Sequence, residues 1–360
     1  MSDILSSDGK KPMEQSENDL SEAISQLSVT KDDSHEASIS LSDMPVDVVR
    51  PIIEKLDYRQ QLKLRKVSTS LRALVDNRKS ACKSIKVACS EDNVIIHFNE
   101  QGVMYVNHQY DYEKNWICTG RIVPFQWILR RKDFEKAALD DLTSTLKNPK
   151  LHLKKFSVSF GVIDKKDFDK FCKEIRNLLK ALDHQVSVKE FELKVSSPSC
   201  LRALLSFLKP GLLEKIKLDF DATGVTGADL RNDSDGMKQV ALLEQWKQAK
   251  VLEMWDLFDV FPLEHATHFK RYNLDGRFIG EDKFIRITEF LSKLDNFEQC
   301  TLSCLSFRVN GLQVLGAPVS SNATEEVFHH PIPDSDCFLE FTKPINGYEA
   351  KIVKKKRENN

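Results

Sequence analysis

Residues 40–83 read SLSDMPVDVVRPIIEKLDYRQQLKLRKVSTSLRALVDNRKSACK, and this stretch decides how the rest of the chain is interpreted. Its apolar residues recur at helical spacing after Pro45, a residue that the first turn of a helix tolerates. Asp57 and Ser68 then stand where the N-caps of two further helices would lie. The stretch therefore predicts three short helices in about 40 residues, which is a marginal core. Modules of this size usually need a partner or a neighbouring domain to bury enough apolar surface.

The start of this stretch carries two further signals. Ser42 or Asp43 is a candidate N-cap for the first helix. Pro51 is an irregularity, because a proline inside a helix removes a backbone hydrogen bond and clashes with the preceding turn. We therefore expect the first helix to kink or split at Pro51.

The order and spacing of these residues resemble the F-box. Met44-Pro45 stands where the first F-box helix opens, and Val67-Ser68 stands at the turn before the third. The resemblance implies contact with the Skp-type adaptor of cullin ligases, made by apolar residues that also form the small core. A generic three-helix capping unit is the alternative interpretation. The residues expected at or beneath the adaptor contact are Leu41, Met44, Pro45, Val48, Val49, Ile52, Ile53, Leu56, Leu62, Leu64, Val67, Leu71 and Leu74.

A second pattern, apolar-x-x-apolar-x-apolar, recurs along the rest of the chain. Its copies are spaced by about 20 to 36 residues, the range of solenoid repeats. Polar residues fill the positions between, so one face of each strand should be buried and the other should face outward. The outward face of such a repeat sheet is suited to binding protein. Clear copies begin at Leu153, Val188 and Leu213, and weaker ones at Cys82, Ala249, Phe269 and Phe297.

Amphipathic helical patterns lie between these copies, for example from Phe168 to Leu182 and from Leu201 to Leu208. Strands and helices in regular succession imply parallel strands joined by right-handed crossovers. Segment 84–125 differs, because its apolar residues alternate and predict an antiparallel meander. We therefore expect an α/β fold, α+β overall: a three-helix module, a strand meander and an irregular leucine-rich-repeat-like α/β array.

The region after the helical module resembles a second family. The stretch Leu139 to Pro149, LDDLTSTLKNP, the irregular repeats and the ending SDCFLEFTKPINGYEAKIVKK are similar to the nematode F-box proteins that carry an FTH domain. The resemblance implies a terminal strand pair. The expected domains are a disordered acidic tail (1–38), the F-box (39–83), an FTH-like repeat domain (84–345), and a terminal strand with a basic tail (346–360).

Composition argues against several other classes of protein. The chain has 53 basic and 54 acidic residues, so its net charge of −1 creates no field that attracts nucleic acid or an anionic membrane. No stretch approaches the roughly 20 apolar residues of a membrane span. Phosphate loops, closely spaced zinc-ligand pairs and a nucleophile elbow are missing. We therefore expect no cofactor, no metal and no catalytic residue, and the scattered cysteines predict thiols in a reducing compartment.

Together, the two resemblances imply the non-catalytic substrate-recognition subunit of an SCF-type cullin-RING ubiquitin ligase, in the cytoplasm and/or the nucleus. Its partners would be a Skp-type adaptor, through it a cullin, and a protein target that the sequence does not identify. A non-ligase interaction scaffold is the alternative, and an enzyme that uses the repeat surface is a third hypothesis. The terminal cluster KIVKKKREN is either a solvated basic tail or a nuclear-import signal.

Overall fold

A computed structural model of the chain describes residues 44–77, 80–107, 127–160, 165–194, 198–219, 234–255, 261–276, 279–304, 315–345 and 347–357. The chain divides into two compact units, residues 1–49 and 50–360. Of the first unit, residues 44–49 are described. The predicted tail (1–38), Leu41 and the candidate caps Ser42 and Asp43 lie outside the described residues.

Three short helices follow one another at the start of the described chain: α1 (Val46–Lys55), α2 (Tyr58–Leu64) and α3 (Thr69–Asp76). The carbonyl of Pro45 accepts hydrogen bonds from the backbone N–H groups of Val48 (2.9 Å) and Val49 (3.1 Å), and this starts α1. Helix α1 runs through Pro51 to its end, so the expected split is wrong. A proline removes one hydrogen bond from a helix, and the remaining bonds hold it together.

The two predicted caps are confirmed. The side chain of Asp57 accepts from the Gln60 N–H (2.8 Å), while the Gln60 side chain accepts from the Asp57 N–H (3.0 Å). This reciprocal pair is a capping box. The hydroxyl oxygen of Ser68 accepts from the Leu71 N–H (3.1 Å) and caps α3. Both caps therefore fix where α2 and α3 begin.

All strands of the described residues belong to one sheet. The strands are β1 (Ser84–Cys89), β2 (Asn93–Phe98), β3 (Gln101–Val106), β4 (Trp127–Arg130), β5 (His152–Phe160), β6 (Ser187–Lys194), β7 (Lys215–Asp219), β8 (Val251–Trp255), β9 (Arg271–Gly276), β10 (Gln299–Cys304), β11 (Ser320–Ser321), β12 (Glu325–Pro331), β13 (Cys337–Pro344) and β14 (Glu349–Lys356). Their order across the sheet is β11-β12-β13-β14-β10-β9-β8-β7-β6-β5-β1-β2-β3-β4.

Helices connect the strands of the middle of the sheet. They are α4 (Phe134–Leu146), α5 (Lys165–Lys180), α6 (Pro198–Leu205), α7 (Ser234–Ala241), α8 (Glu244–Gln248) and α9 (Glu281–Ser292), with a single 3₁₀ turn at Leu263–His265. The apolar sides of strands and helices share one hydrophobic core. The predicted α/β class is confirmed.

The repeat pattern marks equivalent positions in neighbouring strands. Strands β1 and β5 to β10 are parallel neighbours, and the middle apolar residue of every predicted copy pairs in register with that of the next copy. Each of these side chains is buried. The predicted repeat is thereby confirmed. The row consists of Ile85, Phe156, Phe191, Ile216, Leu252, Tyr272 and Cys300.

Antiparallel strands flank the parallel strands on both sides. The predicted meander appears as β1-β2-β3, whose β2–β3 turn at Asn99-Glu100 places Asn99 at a φ of 56°. On the other side β14 pairs with β10 and with β13, which confirms the terminal strand pair. The terminal lysines up to Lys356 belong to strand β14, so most of the predicted basic tail is part of the sheet.

Candidate functional site

Four of the predicted adaptor-contact residues lie in the described part of the first unit. Val48 is 50% exposed, and Pro45 is also exposed. Met44 is half-buried, whereas Val49 is buried. An exposed valine costs little by itself, but an apolar surface on a small helical module often marks a binding site. The side chain of Val48 is therefore available to a partner, and that of Val49 lies inside.

The remaining predicted residues lie in the second unit, and their side chains also divide into exposed and buried ones. Ile52 and Val67 are 39% and 68% exposed, whereas Ile53 and Leu71 are buried. The exposed pair can contact a partner directly, while the buried pair supports the surface from beneath. The remaining half-buried residues are Leu56, Leu62, Leu64 and Leu74.

Side-chain hydrogen bonds hold the helices of the second unit in place. The amide nitrogen of Gln61 donates to the carbonyls of Ile53 (3.1 Å) and Leu56 (3.0 Å), so α2 satisfies the last carbonyls of α1. The guanidinium of Arg65 donates two bonds, of 2.6 and 3.0 Å, to the carboxylate of Asp76 at the end of α3. The hydrogen bond that Arg65 donates to Asp76 raises the pKa of Arg65.

Tyr58 anchors α2 to the sheet. Its side chain is buried in the hydrophobic core, with its ring centroid 5.5 Å from that of Phe98 in β2. Burial raises the pKa of Tyr58. Leu62 packs partly against the same core. Helix α2, which carries Leu62 and Leu64, is therefore packed against the hydrophobic core of the sheet.

Polar contacts extend this attachment. The ammonium of Lys66 lies 3.5 Å from the carboxylate of Asp141, which also accepts a hydrogen bond from the Tyr105 hydroxyl (2.8 Å). Lys150 donates to the carbonyl of Asn77 just after α3 (3.1 Å). Tyr58 was missed by the sequence-based prediction. It is the only aromatic residue between Met44 and Lys83, but this does not show which distant residue it contacts.

The polar face of the parallel strands is the second candidate site. Its central row pairs Glu192, Lys217 and Glu253 in register on β6, β7 and β8. Lys155 lies 2.6 Å from Glu192, and Lys217 lies 3.8 Å from Glu192 and 2.5 Å from Glu253. Lys215 also pairs with Glu253. Because positive and negative groups alternate, this row carries little net charge.

Burial and charge compete at these carboxylates. Burial raises the pKa of Glu253, but the hydrogen bonds from Lys215 and Lys217 outweigh it, and the net pKa is lowered. The pKa of Glu192 is lowered by the same balance, with Lys155 as its main hydrogen-bond donor. At Asp275 burial prevails, and its pKa is raised. The Glu192 and Glu253 side chains are therefore ionised members of a charge network.

Two models of known protein families match parts of the chain. The family model of the F-box domain matches residues 41–83, which include all three short helices. The family model of the FTH domain matches residues 169–315, which include strands β6 to β10. The chain therefore carries one region similar to the F-box and one similar to the FTH domain, and the predicted resemblance is confirmed. Proteins of these two families are typically non-catalytic adaptors, and F-box domains generally bind a Skp-type adaptor and thereby a cullin.

One relative comes from a nematode. The chain is 22% identical over 263 residues to F-box A protein 224 of Caenorhabditis elegans, a match that covers 72% of this chain. The match covers 65% of that protein, slightly less than two thirds of its length. No solved structure matches the chain. Among the described residues, no helix is both long and apolar enough to cross a membrane.

Proposed function

We propose that this chain is the substrate-recognition subunit of an SCF-type cullin-RING ubiquitin ligase. Its F-box domain binds the Skp-type adaptor, and its FTH domain holds a protein target. The role is non-catalytic: holding the target near the transferred ubiquitin raises the effective concentration of its lysines. Such a role places the protein in the cytoplasm or the nucleus.

The exposure of apolar residues in the F-box domain is the observation that carries this proposal. Val48, Ile52 and Val67 are each more than a third exposed in a module with few residues to spare for a core. Burying one such aliphatic side chain against a partner contributes roughly 1.5–3 kcal/mol. The proposal also assigns adaptor binding to Pro45, Leu56 and Leu64. Val49, Ile53 and Leu71 are buried, so in the proposal they act as core residues.

Co-purification with the adaptor tests the F-box assignment. Ile52→Glu and Val67→Glu place a charge on the proposed contact, and each should abolish recovery of the adaptor with the full chain. Val319→Glu is the matched control, because Val319 is 57% exposed and lies in the other domain. The control should retain the adaptor. Normal recovery with both F-box variants would favour the non-ligase scaffold instead.

For the target, we propose the polar face of strands β5 to β10. This face presents side chains of alternating charge on a rigid sheet, and a rigid surface loses little entropy on binding. Asn273 and Thr301 are adjacent in register on β9 and β10, and both are partly exposed. They lie beside the Glu253 network, since Asn273 donates to Glu253 at 3.4 Å. The proposed target surface therefore includes both charged and neutral polar groups.

Quantitative mass spectrometry of captured proteins tests the target surface. Asn273→Arg with Thr301→Arg should remove specific proteins from the captured set while the adaptor remains. Leu242→Arg with Val319→Arg adds the same charge at two exposed positions away from these strands, and this control should keep the set intact. Equal losses in both variants would show that the polar face has no special role.

A further inference from the structure

Two cysteines on successive helices of the repeat region lie in contact. Cys172 on α5 and Cys200 on α6 are 28 residues apart in sequence, and their sulfur atoms are 3.0 Å apart. Both side chains are thiols in the structure. Helix α5 follows β5 and helix α6 follows β6, so the pair joins two consecutive repeats.

The two sulfur atoms are close enough to form a covalent bond after a small movement. A disulfide has sulfur atoms about 2.05 Å apart, so a shift of about 1 Å closes the bond. Cys300 and Cys304 make a useful contrast, because they are four residues apart on the extended strand β10. Their Cα atoms are separated by roughly 13 Å along a strand, and a disulfide tolerates at most about 7 Å. Both are also buried in the core.

We propose that Cys172 and Cys200 are an oxidation site that closes into an intramolecular disulfide when the protein meets hydrogen peroxide. Cys172 is half-buried and Cys200 is buried, so peroxide reaches Cys172 first. The Cys172 thiolate attacks one peroxide oxygen, the O–O bond breaks, and a sulfenic acid and water form. Cys200 then attacks the Cys172 sulfur, the S–O bond breaks and a second water leaves. In sum, two thiols are oxidised to one disulfide while one peroxide is reduced to two waters.

The bond would fasten α5 to α6. A cross-link between residues that already touch in the folded chain restricts mainly the unfolded chain, and it therefore favours the folded state. The proposal concerns the stability of this pair of repeats, and it does not depend on ligase function. The sequence predicts that the cysteines are thiols in a reducing compartment, and there Cys172 and Cys200 also remain thiols. The proposal adds that peroxide oxidises this pair selectively.

Differential alkylation of the full chain tests the proposal. After peroxide treatment, Cys172 and Cys200 should both resist alkylation in denaturant, and digestion should yield a peptide that links them. Dithiothreitol should restore both thiols. The thermal midpoint of the oxidised chain should rise by about 5 °C, and reduction should reverse the rise.

Two variants separate a specific pair from general oxidation. Cys200→Ser should abolish the linked peptide and the thermal shift, and it should leave Cys172 as a sulfenic or sulfinic acid. Cys337→Ser removes another half-buried thiol and should change neither result. The proposal is overturned if Cys172 and Cys200 both remain alkylatable after peroxide treatment, or if Cys172 is oxidised to a sulfinic acid without a linked peptide in the unsubstituted chain.

Discussion

The ring of Tyr58 in α2 lies 5.5 Å from the ring of Phe98 in β2, tilted by 45°. Because Tyr58 is also buried in the hydrophobic core, this contact joins the second helix of the F-box domain to the sheet. A surface carried by α2 and α3 therefore has a fixed position relative to the FTH strands. In the proposed role, such a connection would limit how far a bound target can move.

Substitution of Tyr58 measures this connection. Tyr58→Phe keeps the ring and its contact with Phe98, so it should lower the unfolding free energy by no more than about 1 kcal/mol. Tyr58→Ala also leaves a cavity and should cost about 3–5 kcal/mol. Denaturant unfolding of the full chain provides the measurement. The same changes at Tyr348, which is 67% exposed, should each stay within about 0.5 kcal/mol. Equal effects at the two tyrosines would contradict the anchoring role.

The pair formed by Arg65 and Asp76 should contribute a measurable coupling. Its two hydrogen bonds are well aligned, but both side chains are partly exposed, so solvent screens the interaction. A double-mutant cycle with Arg65→Ala and Asp76→Ala should give about 1 kcal/mol. The exposed pair of Lys238 and Asp235 provides the control cycle, which should give no measurable coupling. A similar value in the two cycles would show that the bidentate geometry adds nothing.

Replacement of Glu253 should lower the unfolding free energy more than replacement of an exposed glutamate that also pairs with two cations. It is buried on the polar face and bonded to Lys215 and Lys217, so Glu253→Gln should destabilise the chain by about 1–2 kcal/mol. Glu298 also faces two cations, Lys270 and Arg271, but is exposed, and Glu298→Gln should have little effect. Denaturant unfolding of both variants measures the two losses of unfolding free energy. An equal or smaller loss for Glu253→Gln would contradict the prediction.

The lowered pKa of Glu253 predicts that the stability of the chain depends on pH in acid. Because the pKa of Glu253 is lowered in the folded chain, its contribution is present above the ordinary pKa of 4.5. It is lost as the pH falls through the folded value. The loss of stability below about pH 4.5 should therefore be smaller in Glu253→Gln than in the unsubstituted chain. If stability falls equally with pH in both chains, the salt bridges do not shift the pKa of this carboxyl.

His268 should make the chain less stable in mild acid. Burial lowers its pKa, and the hydrogen bond to the Trp246 carbonyl (2.8 Å) opposes this only in part. The unfolded chain therefore takes up a proton first, and the contribution is complete above the ordinary pKa of 6.5 and falls below it. Comparing unfolding between about pH 7.5 and about pH 5.5, His268→Gln should lose less stability than the unsubstituted chain. The assignment fails if the substituted chain loses as much.

The repeat strands were predictable because their signal is local. In each copy, residues such as Phe156 and Val158 are two positions apart, and a strand places such residues on the same face. Repetition of the pattern then indicates which strands are neighbours. The caps at Asp57 and Ser68 were predictable for the same reason, since a cap depends on a few adjacent residues.

Features that depend on distant residues were not predictable. The contact of Tyr58 with Phe98 spans 40 positions, and no local pattern indicates it. Sequence also did not distinguish Val48, which is exposed, from Val49, which is buried. A helix core and a binding surface demand the same aliphatic residues, so only the placement of the neighbouring elements separates them. Pro51 was misjudged because the cost of one proline was given too much weight.

The decisive experiment measures the affinity of the purified adaptor for the full chain. Ile52→Ala with Val67→Ala removes apolar groups from the proposed contact without adding charge. Each loss should cost about 1–2 kcal/mol, so the dissociation constant should rise roughly 100-fold. Leu242→Ala with Val319→Ala, at exposed positions of the other domain, should leave it unchanged. An unchanged dissociation constant for the Ile52 and Val67 variant would contradict the proposal that these side chains bind the adaptor.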